Sequence, residues 1–140
     1  MDELKVQKPV RGKKILIVED DAEGREALKE LLEENGFVVT EARDGKVALD
    51  HMTRGLQPAL VVLDLLMPVM SGLELLQIMD GYERLSRLPV LVVSGSPKSE
   101  FACGGSVVGF VTKPVDRNEF LHAVTTSLST RENARGSFSS

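Results

Sequence analysis

A chain of 140 residues holds one domain with a sizeable core and is too short for a receptor, transporter or two-domain enzyme. A formal charge of −4 leaves no basic footprint for nucleic acid, and the single cysteine, Cys103, excludes an internal disulfide framework and fits a reducing cytoplasm. No apolar run approaches the roughly 18 residues of a membrane span, and the Asp2-Glu3 start is no secretory leader, so a soluble, cytoplasmic protein with no membrane attachment is expected.

Residues 1–12 mix polar and apolar side chains with Pro9 and Gly12 and read as an N-terminal arm ahead of a domain over 13–129. Lys14-Ile15-Leu16-Ile17-Val18 reads as a buried strand, and it ends in Glu19-Asp20-Asp21. The spacing of Leu28, Leu31 and Leu32 predicts a helix over Ala22 to Glu34, stopped by Asn35-Gly36. Phe37 to Thr40 is a short β-branched strand, Asp44-Gly45 a turn, and Lys46 to Met52 a helix with Val47, Ala48 and Met52 inward. Leu60-Val61-Val62-Leu63 is a strand apolar on both faces, and it too ends in a carboxylate, Asp64, before Met67-Pro68 breaks the chain.

The second half repeats the alternation. Gly72 to Met79 reads as a helix with Leu73, Leu76 and Met79 inward, followed by a polar loop from Asp80-Gly81 to Pro89. Val90 to Val93 is a strand ending at Ser94, and Gly109 to Thr112 a strand ending at Lys113-Pro114. Asp116 caps a last helix, with Glu119 three residues on and Phe120, Leu121, Val124 and Leu128 inward. From Thr130 to Ser140 the chain is polar and Ser-rich, a flexible tail. His51 and His122 fall on helices away from the acidic strand ends and read as ordinary helix residues.

Five strands alternating with helices predict an α/β, doubly wound, mostly parallel sheet with helices on both faces. Right-handed crossovers then bring every strand's carboxyl end to one edge, where such sheets bind ligands. The groups arriving there are Glu19-Asp20-Asp21, Asp64, Ser94 and Lys113, none needed for packing. Crowded carboxylates repel, and oxygen-only ligands select a hard cation; Mg²⁺ suits one or two carboxylates completed by waters and phosphate oxygens. A carboxylate beside Mg²⁺ can attack a phosphoryl group to form an acyl phosphate, with Lys113 and the Ser94 hydroxyl engaging phosphoryl oxygens.

This ordered set resembles the response-regulator receiver domain of two-component signalling over about Lys14 to Leu128. The residues that carry the resemblance are Glu19-Asp20, Asp64 followed by Met67-Pro68 and Gly72, Ser94, and Phe110 ahead of Lys113-Pro114. The resemblance implies a flavodoxin-like strand order of 2-1-3-4-5. It implies Asp64 as phosphoacceptor, charged from a sensor histidine kinase or a histidine phosphotransfer protein. Asp20 and Asp64 would ligate Mg²⁺ directly, Glu19 through water, and the Leu66 backbone carbonyl would add a ligand. Ser94 would be the switch hydroxyl and Phe110 the switch aromatic that turns inward with it, modulating a downstream protein target. Asp21 is the acid least suited to bind the ion.

Departures from the family pattern carry expectations of their own. Only Lys98 to Cys103 is left to form the fourth helix, between Ser94 and Lys113, so that helix is expected to be short or replaced by a loop. Leu66 is apolar where a polar side chain could position an attacking water, which predicts slow self-dephosphorylation. The same leucine argues against an aspartyl-nucleophile phosphatase, which needs a second carboxylate two residues after the nucleophile. A receiver fold kept only as an interaction module would have lost the acceptor, the metal acids or the lysine, and all are present.

Overall fold

In the computed structural model, β1 (Lys14–Val18) and β3 (Leu60–Asp64) lie side by side and parallel, with Val18 opposite Leu63, so Glu19, just after β1, and Asp64, the last residue of β3, emerge together. The residues described are 12–67, 69–95 and 106–139. Around this central pair β2 (Val38–Ala42), β4 (Val90–Ser94) and β5 (Val107–Thr112) complete a five-stranded sheet, all parallel, in the order β2-β1-β3-β4-β5. The expected fold class and strand order are thus met.

Each central strand is apolar on both faces because both are covered. Ile15, Ile17 and Val62 pack with Leu28, Leu31 and Leu32 of α1 (Ala22–Glu34) and with Phe120, Val124 and Leu128 of α4 (Arg117–Ser139). Leu16, Val18, Val61 and Leu63 pack on the other face against α2 (Gly45–Thr53) and α3 (Gly72–Asp80). Burying one leucine stabilises by about 2 kcal/mol, so this double-sided packing is the main reason the strands form where they do.

Helix starts follow side-chain caps. Asp21, Asp44 and Ser71 each accept a hydrogen bond from the backbone N–H three residues on, and Ser71 with Glu74 forms a reciprocal capping box. Asp116 Oδ2 accepts from the Glu119 N–H at 2.9 Å at the start of α4, as its sequence suggests.

Four expectations need correction or fall outside. In α3 Met79 is buried and Leu76 packs on the core as expected, but Leu75 is buried in place of Leu73, which is exposed, because Gly72 rather than Leu73 faces β3. The stretch between Gly81 and Pro89 is not only polar loop: a 3-10 turn at Leu85–Arg87 buries Leu85 in the second core. Beyond Thr130 the backbone stays helical to Ser139, where a frayed tail was expected; no proline interrupts it. The proposed shortening of the helix at residues 98–103 lies outside the described residues.

Candidate functional site

Two buried carboxylates and one partly buried lysine at the carboxyl edge define the site. Asp64 is the last residue of β3 and only 6 % exposed, Glu19 follows β1 and is 3 % exposed, and Lys113 follows β5. The Lys113 ammonium donates to Glu19 Oε1 at 2.9 Å and to Asp64 Oδ2 at 3.3 Å, so one lysine holds both carboxylates. Its own backbone N–H donates to the Ser94 carbonyl at 2.9 Å, which fixes the ends of β4 and β5 against each other.

Burial alone would lower the lysine's pKa. The hydrogen bond to Glu19 and the charges of Asp64 and Glu19 outweigh it, and Lys113 sits above the ordinary lysine range. The ammonium is therefore fully charged near neutrality.

The acids divide by role. Asp21 is spent on structure: its Oδ2 accepts from the Gly24 N–H at 2.9 Å, and its own N–H donates to Glu19 Oε2 at 3.2 Å. That leaves Glu19, Asp20 and Asp64, each offering a carboxylate oxygen within 4.8 Å of the others. Among the described residues this is the one such acidic group, and Asp20 is its solvent-exposed member. Asp64 Oδ1 accepts from the Leu66 N–H at 3.2 Å, while the Leu66 side chain is 58 % exposed beside the site. Ser94 is buried at the end of β4, and Phe110 is half-buried on β5 in register with Val92, against the second core.

One contributor has no sequence signal. Arg25, on α1, donates from Nη1 to the Glu19 carbonyl at 2.8 Å and from Nε to Glu41 Oε1 on β2 at 3.1 Å. It ties the β1 end to the helix and to the edge strand, and only the three-dimensional placement of Glu41 reveals it. Beside Lys113 and Glu19 a cleft of about 230 Å³ opens along α1, floored by Gly24, Ala27, Leu28 and Val115.

The comparisons agree with this geometry. Residues 15–125 match the family model of the response regulator receiver domain. The chain is 42 % identical over 105 residues to the chemotaxis protein CheY of Pseudomonas aeruginosa, covering 72 % of this chain and 84 % of that one. It is 39 % identical over 108 residues to CheY-3 of Vibrio cholerae, covering 74 % and 82 %. Among solved structures it is similar to the signal receiver domain of a histidine kinase from Syntrophus aciditrophicus, with a TM-score of 0.76 and 31 % identity over 85 % of this chain and 92 % of that chain. A response regulator receiver protein from Pseudomonas putida gives 0.74 and 32 %, covering 82 % and 97 %.

Proposed function

Because this chain belongs to the response regulator receiver domains, we propose that Asp64 accepts a phosphoryl group from a phosphohistidine and that the phosphorylated state modulates a partner protein. The observation that carries this reading is the buried Asp64 carboxylate held 3.3 Å from the Lys113 ammonium, beside two further acids. A buried carboxylate at a strand end has no packing value, and the lysine beside it supplies a cation that can engage the oxygens of an incoming phosphoryl group.

The donor set fits Mg²⁺. Glu19, Asp20 and Asp64 each bring a carboxylate oxygen within 4.8 Å of the others, and an all-oxygen donor set of this kind suits a hard divalent cation. Asp20 and Asp64 would hold the ion directly, Glu19 through water, and the Leu66 carbonyl would complete the protein's share. Bound there, the ion would supply positive charge to offset what grows on the transferring group.

In the transfer, the donor's P–N bond breaks with its electron pair left on the imidazole. A bond forms from phosphorus to one Asp64 carboxylate oxygen. Lys113 moves its attention from the carboxylates to a phosphoryl oxygen, and the Ser94 hydroxyl donates to another. Loss of that tie at the β5 end, together with the demand on Ser94, gives Phe110 a reason to repack against the second core. The donor would be a sensor histidine kinase or a histidine phosphotransfer protein. The domain turns over no small-molecule substrate; an exposed leucine at position 66 supplies no acid–base group for a phosphatase cycle.

Incubation with acetyl phosphate and Mg²⁺ tests the proposal. Stoichiometric labelling of the parent, lost in Asp64→Asn and on chelation, is the expected result. In the same preparation Mg²⁺ should raise thermal stability by up to about 2.7 kcal/mol at a hundredfold excess over its dissociation constant. Asp20→Asn should abolish that increment. A labelled Asp64→Asn protein, or a parent that ignores Mg²⁺, overturns the reading.

A further inference from the structure

The opposite edge of the sheet carries a second cleft that phosphoacceptor chemistry does not use. At about 480 Å³ it falls in the range of ligand sites, and it lies at the amino ends of β1, β3 and β4, one five-residue strand length, roughly 16 Å, from Asp64. Its charge is one-sided. Among the described residues, Lys13, Lys14, Arg84 and Arg87 line it against a single acid, Glu83, in a chain whose formal charge is −4. Its floor is apolar, made by Pro58, Leu88, Pro89 and Leu128.

The cations are not all consumed by the fold. Arg84 is anchored, its guanidinium donating to the Met52 and Leu56 carbonyls at the end of α2, so it forms a fixed wall. Arg87 meets Glu83 at 3.5 Å, but both side chains are well exposed and the pair yields readily to a competing carboxylate. Lys14 has an exposed side chain with no ion-pair partner among the described residues, while its backbone carbonyl is bound by the Ala59 N–H at 2.7 Å. A rigid strand end therefore presents a lysine over an apolar floor.

The lining selects the ligand class. Among the described residues no aromatic side chain lines the cleft to stack a base, and no glycine-rich turn or helix N-terminus cradles a phosphate there. Prolines and leucines flanked by exposed cations match an extended peptide that alternates carboxylates with apolar side chains. We propose that this cleft binds an acidic, leucine-bearing peptide segment of a partner protein, independently of the phosphoacceptor site.

The probe is a fluorescent, N-acetylated pentapeptide of sequence Glu-Leu-Asp-Leu-Glu, titrated into the full chain with amide shifts followed by NMR. Saturable shifts at Ala59, Leu88 and Leu128 are expected, with affinity falling at least tenfold in the Lys14→Glu, Arg87→Glu double variant and declining with added salt. Both substitutions are on the surface, and an unchanged thermal midpoint verifies that the variant is folded. Asp64→Asn should bind the peptide as the parent does, which separates this site from the phosphoryl reading. Equal binding by the double variant, equal binding of the same peptide with lysines in place of its acids, or tighter occupancy of these amides by ATP or pyrophosphate would each overturn the proposal. So would light scattering that shows the cleft closed by a second copy of the chain.

Discussion

Gly72 sits directly behind Asp64: a Cβ at position 72 would lie 2.4 Å from the Asp64 carbonyl oxygen and 2.6 Å from Leu65 Cα. The Gly72 N–H donates to the Leu65 carbonyl at 2.9 Å, so α3 begins in contact with the strand end that carries the acceptor. Gly45 does the same from α2, where a Cβ would meet the Met70 carbonyl at 2.9 Å. Two helix starts thus clamp the loop after β3, and both need glycine for space rather than for an unusual φ.

Gly72→Ala is therefore expected to destabilise the fold by about 3 kcal/mol, the upper end of overpacking, because the obstacle is backbone that cannot rotate away. Urea unfolding measures the loss. Labelling by acetyl phosphate should fall as well, since any relief of the clash moves Asp64 away from Lys113.

Val69 holds φ at +69° on the same loop, in the left-handed region that a β-branched residue adopts at a cost of about 1–2 kcal/mol. Its side chain is 76 % exposed, so little packing offsets that strain. Val69→Asn is expected to stabilise the protein by about 1 kcal/mol, because asparagine tolerates this conformation without glycine's entropic loss. Val69→Ile, equally branched, should leave the unfolding midpoint where it is. A thermal melt of the two variants against the parent decides the matter.

What was legible in the sequence was whatever repeats within one strand or helix. Strands apolar on both faces announced a doubly wound sheet, and the groups following them, Glu19, Asp64, Ser94 and Lys113, were brought to one edge by topology alone. Less legible was anything that depends on a neighbour distant in the chain. Leu73 and Leu75 are equally leucine, and only the approach of Gly72 to β3 decides which one is buried. Leu85 sat in a stretch with no periodicity because a single 3-10 turn has none to show. Arg25 carries no local signal of its role, because its partner Glu41 comes from β2, and Lys29 reaches the same carboxylate at 3.4 Å. Basic residues from positions 13 to 87 are scattered in sequence and meet only at the amino edge of the sheet.

Lys113 gives a pH signature whose sign is fixed by its raised pKa. The folded value lies above the unfolded one of about 10.5, so the stability it contributes is fully present below that pH and is lost as pH rises through the folded value. Unfolding free energy of the parent is expected to hold its Lys113 share from pH 7 to about 9.5 and to shed it above about 10.5. Lys113→Met leaves Glu19 and Asp64 buried without their cation. Breaking a buried pair costs about 3–5 kcal/mol, and the 34 % exposure of the lysine side chain brings the expected loss down to about 2 kcal/mol. Denaturant titrations at pH 7, 9 and 11 should find the alkaline step in the parent and not in Lys113→Met.

Leu66 bears on how long a phosphoryl group on Asp64 would last. Its N–H is already committed to Asp64 Oδ1, and its exposed side chain offers no donor or acceptor to hold a water in line with phosphorus. Hydrolysis must then recruit an unpositioned water, which raises the barrier through lost orientation. Slow self-dephosphorylation follows, with a half-life well beyond seconds. Leu66→Asn places an amide where the water would sit and is expected to speed the loss about tenfold, equivalent to roughly 1.4 kcal/mol of barrier. Leu66→Ala removes bulk without adding a polar group, so it separates water positioning from mere shielding. If alanine accelerates hydrolysis as much as asparagine does, the leucine acts as a cover over the acyl phosphate; if only asparagine accelerates it, orientation of the water is the controlling term.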